Sequence, residues 1–291
     1  MLLGIALLSM TTFTFTACGD DDDDDDQPAN TNGAGDGTFQ GAKRVFGENL
    51  PKAYGRLENG KDYKRFTMTY DANGFVTKVH GERYGSDGYQ KDWLLSYSGS
   101  TCTIAYYKKG EFKYNVVVTF GSNGYMAEAK QPDSETLLCT YDDEYLTKIT
   151  VSELSDEDGK GEKDGKNGDE DEKLNFAWQG GNIVQGGWQG STLTSISYSS
   201  TPNVGCVMEY DDGLNIDMDD WVLFYYMGML GKGTTHLPQA NTKQKSSTNY
   251  TTGTNQWTLD GKGRAVKLIA TKKRLENSYE STETKEYYWE W

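Results

Sequence analysis

Residues 66–80 read FTMTYDANGFVTKVH. Phe66, Met68 and Tyr70 alternate with Thr67 and Thr69, the period of a strand that buries one face. Asp71-Ala72-Asn73-Gly74 follows, where Asp and Asn tolerate turn backbone and Gly accepts positive φ. Phe75 to Val79 then runs as a second strand. This β-hairpin decides the fold because it recurs. Residues 119–129 (TFGSNGYMAEA), 140–149 (TYDDEYLTKI) and 258–268 (TLDGKGRAVKL) repeat it, and 177–185 (AWQGGNIVQ) is a looser copy. The spacings are irregular, whereas a solenoid or propeller needs a fixed period. The copies are therefore hairpins within one sheet system.

Other segments obey the same rule. Tyr114, Val116, Val118 and Phe120 form one row, with Asn115 and Thr119 on the other face. Trp93, Leu95 and Tyr97 alternate, as do Cys102, Ile104 and Tyr106, and Leu174, Phe176 and Trp178. The C-terminal KEYYWEW places Tyr287, Trp289 and Trp291 on one face and Glu286 and Glu290 on the other, so the end of the chain is expected to be pinned into the sheet. Many antiparallel strands with one apolar face each must curl or pair to bury it. The expected fold is mainly β: a soluble, curled antiparallel sheet or barrel-like meander. Its polar faces carry Thr, Lys, Glu and Asn, which a lipid-facing barrel wall excludes. One segment breaks the period. Asp217 to Gly231 has a capping acid, acids in the first turn and a terminal Gly, which predicts a helix over 218–230. Trp221, Phe224, Tyr225, Gly228 and Leu230 would face the sheet as core.

The N-terminal stretch MLLGIALLSMTTFTFTACGDDDDDDD carries an address. Residues 1–17 are too short for a membrane-spanning helix, which needs about 20 apolar residues. Small residues before Cys18 resemble a bacterial lipoprotein signal, in which the cysteine is lipidated and becomes the new N-terminus. Phe15 stands where such signals usually have Leu. No basic residue precedes the apolar run, which points to a start upstream or a shortened N-terminus. The aspartates at 20–26 read as a solvated tether. They also resemble the Bacteroidetes-type signal that sends lipoproteins to the outer face of the outer membrane. Each buried CH₂ of an acyl chain contributes about 0.8 kcal/mol, so one chain is marginal and several hold stably. The expected organisation is a signal peptide at 1–17, a lipidated, acidic and Gly-rich tether at 18–42, and one β domain at 43–291 with a flexible acidic loop at 155–173.

A net charge of −15 argues against nucleic acid and against adsorption to anionic headgroups, leaving the lipid on Cys18 as the membrane contact. With Cys18 lipidated, Cys102, Cys139 and Cys206 remain, so at most one disulfide can form. Small buried hydrophobes are the expectation for all three.

The order of motifs along residues 60–291 resembles a Bacteroidetes lipoprotein family of unknown function with a porin-like, curled antiparallel sheet. The residues that carry the resemblance are the YDxxGxVTKV-type hairpins at 70–79 and 141–149, Ser199-Ser-Thr-Pro-Asn203, Asn215-Ile-Asp217, Leu230-Gly231 and His236-Leu237-Pro238. The resemblance implies a fold and a location. It brings no catalytic residues.

Chemistry is sparse. Asp156, Asp158, Asp164, Asp169 and Asp171 supply the oxygens a calcium site wants, but Lys160 stands where an EF-hand needs a ligand and Lys166 and Lys173 dilute the charge. Asp211, Asp212, Asn215, Asp217, Asp219 and Asp220 form a second acidic group, in part explained by helix capping. His80 and His236 each stand alone, without a zinc partner at ligand spacing. A GxSxG nucleophile and a GxxxxGK[ST] phosphate loop are absent. No cofactor is implied. Carboxylates are too numerous for any pair to single itself out as a glycosidase dyad. Trp178, Trp188 and Trp257, with Tyr106 and Tyr107, are candidates for stacking on sugar rings, against core packing as the alternative. The expected function is a non-catalytic, surface-anchored module that binds a glycan or an envelope protein. The alternatives are a glycan-acting hydrolase and a structural or adhesion component.

Overall fold

The computed structural model describes residues 39–85, 88–132, 135–153, 171–207 and 221–291. Among them, sixteen strands close into one antiparallel barrel. They are β1 Ala53–Glu58, β2 Lys61–Tyr70, β3 Val76–Arg83, β4 Tyr89–Ser98, β5 Thr101–Lys108, β6 Glu111–Phe120, β7 Met126–Lys130 and β8 Glu135–Asp142. The second half comprises β9 Tyr145–Glu153, β10 Glu172–Gln179, β11 Asn182–Trp188, β12 Thr194–Pro202, β13 His236–Ser246, β14 Asn249–Leu259, β15 Ala265–Glu276 and β16 Tyr279–Glu290. Each strand pairs with its successor. The barrel shuts where β1 meets β16, with Tyr54 opposite Trp289 and Arg56 opposite Tyr287.

The recurring hairpins all join an even-numbered strand to the next odd one, so their turns gather at one rim. Their chemistry repeats. The Asp71 carboxylate accepts from the backbone N–H groups of Asn73 and Phe75, both at 2.9 Å, and Asp260 accepts from Lys262 and Arg264 at the same distances. Gly74, Gly124 and Gly263 hold the positive φ the turn requires (85°, 73° and 79°). A register shift sits just before each of the five turns, at Thr69/Tyr70, Thr119/Phe120, Thr140/Tyr141, Ala177/Trp178 and Thr258/Leu259. Such bulges bend the strand and sharpen its twist, which helps a long meander curl shut.

A barrel of sixteen strands encloses more space than wall side chains alone can fill. Two segments fill this one near the turn-rich rim. The first runs from Phe39 through the short helix α1 (Lys43–Phe46), burying Phe39, Ala42, Val45 and Phe46. Phe39 stacks on Phe120 and Tyr97, with ring centroids 4.5 and 5.5 Å apart. The second is the described part of the connection between β12 and β13, which carries α2 (Trp221–Tyr226). The buried Asn203 amide braces it, donating to the Val207 and Thr234 carbonyls at 2.8 and 3.1 Å. Trp289 of the last strand donates its indole N–H to the Tyr226 hydroxyl at 2.6 Å.

These details revise three expectations. The helix ends at Tyr226 instead of 230, because Gly228 turns the chain at φ 81°. The helix is not laid on a sheet with one stripe inward. Val222, Leu223, Tyr225, Tyr226, Met227, Met229 and Leu230 are all buried, because the segment lies inside the barrel. The folded body includes Phe39 and Ala42, ahead of the expected boundary at 43. The capping acids Asp217, Asp219 and Asp220 lie outside the described residues.

The outward faces are polar in mid-strand. Lys267 pairs with Glu286 at 2.5 Å, Arg65 with Glu290 at 3.0 Å and Lys78 with Asp92 at 2.8 Å. Thr271 faces Thr284 between β15 and β16. A lipid-facing barrel instead presents an apolar band there. Cys102, Cys139 and Cys206 are free thiols, Cys102 fully buried. Burial pushes the thiols of Cys102 and Cys139 up to about 12, so both behave as small apolar side chains.

Candidate functional site at the open mouth

The rim opposite the filled end is different. Along β16, Tyr279 to Thr284 are exposed on both faces, while Tyr287 and Trp289 further along are buried. The strands therefore project beyond the core and leave an open mouth. Strand alternation fixes what lines it. On β15, Leu268 and Ala270 are buried inside, so Lys272 and Arg274 continue the same inward row. Register extends that row sideways: Asn241, Gly253 and Lys272 lie side by side, and Lys243, Thr251 and Arg274 form the next row out. A Cβ on Gly253 would stand 2.4 Å from the Asn241 side chain, so the Asn241 amide crosses the lumen face of β14. Lys243 is held below its ordinary lysine range by partial burial and by Lys245, Lys272 and Arg274 around it.

The cationic lining continues past the β16–β1 seam. Arg56, Lys64 and Arg83 stand in one register row on β1, β2 and β3. The Arg56 and Arg83 guanidinium carbons lie 4.4 and 5.0 Å from the centroid of the Tyr63 ring, and Arg83 donates to the Tyr63 hydroxyl. Lys64 is buried, 5.7 Å from the Phe66 ring. Lys91 on β4 sits 4.9 Å from the Tyr89 ring and 5.7 Å from those of Trp93 and Tyr106. Cations line an arc from β13 through β1 to β4, interrupted by Glu283 on β16, and aromatic rings interleave with them from β1 to β4. A ring face attracts a cation in such contacts. At this rim Tyr279, 73% exposed, continues the inward row of β16, while Tyr84 and Phe112 face the outer wall.

The residues singled out from sequence do not assemble here as one platform. Trp178 is half-buried, donates to the Leu146 carbonyl at 2.7 Å and packs 4.7 Å from Tyr145. Trp257 donates to the Pro238 carbonyl at 2.7 Å and packs 5.6 Å from Trp289. Trp188 packs against the core from the mouth end of β11. Tyr106 is buried in the lumen, whereas Tyr107 points outward beside Phe112, with rings 5.6 Å apart. Of the five aspartates in the acidic loop only Asp171 is described, accepting from the Ser152 hydroxyl at 2.7 Å, and Glu172 and Lys173 already belong to β10. Asp156, Asp158, Asp164 and Asp169, and the group at 211–220, lie outside the described residues, as does Cys18. Among the described residues no cluster of His, Cys, Asp and Glu could hold a metal ion. His80 contacts Asp92 at 2.7 Å on the outer wall, and His236 contacts the Asn182 amide at 3.2 Å.

No protein-family model matches this sequence, and no curated protein matches it. Solved structures do resemble it. A porin-like protein from Bacteroides uniformis superposes with a TM-score of 0.63 at 16% identity, over 82% of this chain and 95% of that one. A porin-like protein from Bacteroides vulgatus gives 0.50 at 13% identity, over 82% of this chain and 97% of that one. At these identities the likeness is one of fold: this chain and those proteins share a closed antiparallel β-barrel.

Proposed function

We propose that this chain is an envelope lipoprotein, held to the outer membrane by acyl chains on Cys18 and displayed at the cell surface, whose barrel binds a ligand or partner at its open mouth without catalysis. The observation that carries the reading is the polarity of the wall. Charged pairs such as Lys267–Glu286 and Arg65–Glu290 sit where lipid would touch a spanning barrel, which leaves the membrane contact to the N-terminal signal. The fold shared with porin-like proteins of Bacteroides is consistent with an envelope setting.

Topology supports the direction of display. Phe39, the first described residue, packs inside the filled rim, so the described chain enters the barrel at the end opposite the mouth. Cell fractionation of the wild-type chain and Cys18→Ala tests the anchor. Wild type is expected in the outer-membrane fraction and cleaved by protease added to intact cells, while C18A leaves the membrane. An unchanged membrane fraction for C18A refutes the lipid anchor, and wild type untouched by protease refutes surface display.

A further inference from the structure

We propose that the mouth of the barrel is a binding site for anionic glycans, sugar chains bearing sulfate or carboxylate groups. The proposal deepens the reading of the mouth as the ligand face and does not depend on the lipid anchor.

Charge is the first argument. The protein carries a net charge of −15, yet the described inward positions near this rim include Arg56, Lys64, Arg83, Lys91, Lys243, Lys245, Lys272 and Arg274. The same inward rows also carry Glu276 and Glu283, so the cations outnumber the acids on this arc. Low-dielectric walls focus that field and raise the local concentration of anions.

The second argument is the lack of neutralisation in the β13–β15 cluster. Lys243, Lys245, Lys272 and Arg274 crowd one another closely enough that each of the other three acts on Lys243. Glu283 stands directly across from Lys272 in the strand register, but no ion pair within 4.0 Å joins them, and none forms for the other three among the described residues. Like charges kept together at a cost to the fold are explained by an anion that binds between them. Lys243 and Arg274 flank Thr251, two strand spacings apart, about 9.6 Å between backbones. That span suits separate anionic groups along one chain better than a single small ion.

The third argument separates glycan from free ion. Tyr279 stands exposed at the mouth on the inward row of β16, and sugar faces stack on such rings.

The test uses the full chain with Cys18→Ala, so that it stays unlipidated. Heparin fragments (sulfated), hyaluronan fragments (carboxylated) and neutral dextran are titrated at low and high salt. Binding of at least one of the two anionic glycans is expected, weakening tenfold or more from 50 to 300 mM salt as screening sets in. Lys243→Gln, Lys272→Gln and Arg274→Gln together are expected to weaken it at least tenfold. Lys267→Gln, Lys273→Gln and Lys78→Gln, the same charge change on the outer wall, are expected to change it less than twofold. Circular dichroism and a melting curve confirm that both variants fold. No binding of either anionic glycan overturns the proposal, as does equal loss in both variants. Dextran bound in preference, and lost in the mouth variant, overturns the anionic ligand while leaving the mouth as the ligand face. Inorganic sulfate competing fully at micromolar concentration overturns the glycan in favour of a small ion.

Discussion

Glu144 shows how much a single surface-looking residue can hold. It sits in the β8–β9 turn, where sequence marks it only as an acid in a hairpin. In the fold it accepts from Arg44 of α1 at 3.1 Å and pairs with Lys232 of the β12–β13 connection. The Tyr125 hydroxyl approaches it at 3.3 Å, and the Arg44 guanidinium lies 4.1 Å from the Tyr125 ring centroid. One carboxylate therefore ties both internal segments to the turn-rich rim. The hydrogen bond from Lys232 holds its acid below the usual carboxylate range; burial opposes this and Arg44 adds to it. The folded state binds the proton more weakly than the unfolded chain. The stabilisation is thus complete above the unfolded-state carboxylate pKa and lost as pH falls through the lower, folded-state value. Glu144→Gln is expected to cost about 1–2 kcal/mol at pH 7. Denaturant unfolding of both proteins at pH 7 and pH 3 checks it: the gap should shrink at pH 3, and an undiminished gap contradicts the role. Neither cation was legible as a partner, since Arg44 lies 100 residues away and pairing at that distance leaves no periodic mark.

At the scale of elements, local pattern reads well and context reads poorly. The hairpin at 66–80 was legible because alternation, turn acid and glycine all lie within fifteen residues and agree. The helix was legible in kind, but its surroundings were not. Its apolar residues run all the way round, which signals full burial more than one stripe does. Its end is set by Gly228, and that glycine supports a prediction. Its φ is 81°, and a Cβ there would lie 2.6 Å from the Cα of Ala42. Gly47 also has a positive φ, 56°, but a Cβ there meets nothing within 4 Å. Gly47→Ala should therefore carry only the backbone penalty, about 1 kcal/mol. Gly228→Ala adds a clash between the two internal segments and should cost about 2–3 kcal/mol in all. Thermal unfolding of the pair checks the ranking; equal losses would mean that the segments part without strain. The lumen cations escaped the sequence for a related reason. Lys272 and Arg274 continue the phase of Leu268 and Ala270, but a charged residue in strand phase looks like solvent exposure until the barrel's inside is known.

At the scale of the molecule, closure is the property that sequence left open. Each hairpin is local, whereas the β1–β16 pair joins the two ends of the described chain and depends on every strand between them. Closure removes both sheet edges, and with them the unpaired backbone groups from which a sheet frays or aggregates. Trp289 is the residue that locks it. It is 2% exposed, stands opposite Tyr54 in the seam, bonds the Tyr226 hydroxyl and packs 5.6 Å from Trp257. It therefore joins the last strand, the first strand and the internal helix at one point. Trp289→Ala is expected to cost about 3–5 kcal/mol, the usual loss for a buried aromatic. A closed barrel without edges should open as one unit, so the loss should not stay at the seam. Native-state hydrogen exchange reads the difference. In W289A the slowest amides of β8 and β9, halfway round the barrel, should lose as much protection as those of β1 and β16. Loss confined to the seam strands would show that the barrel unzips locally, and that closure adds no cooperativity to the hairpins it joins.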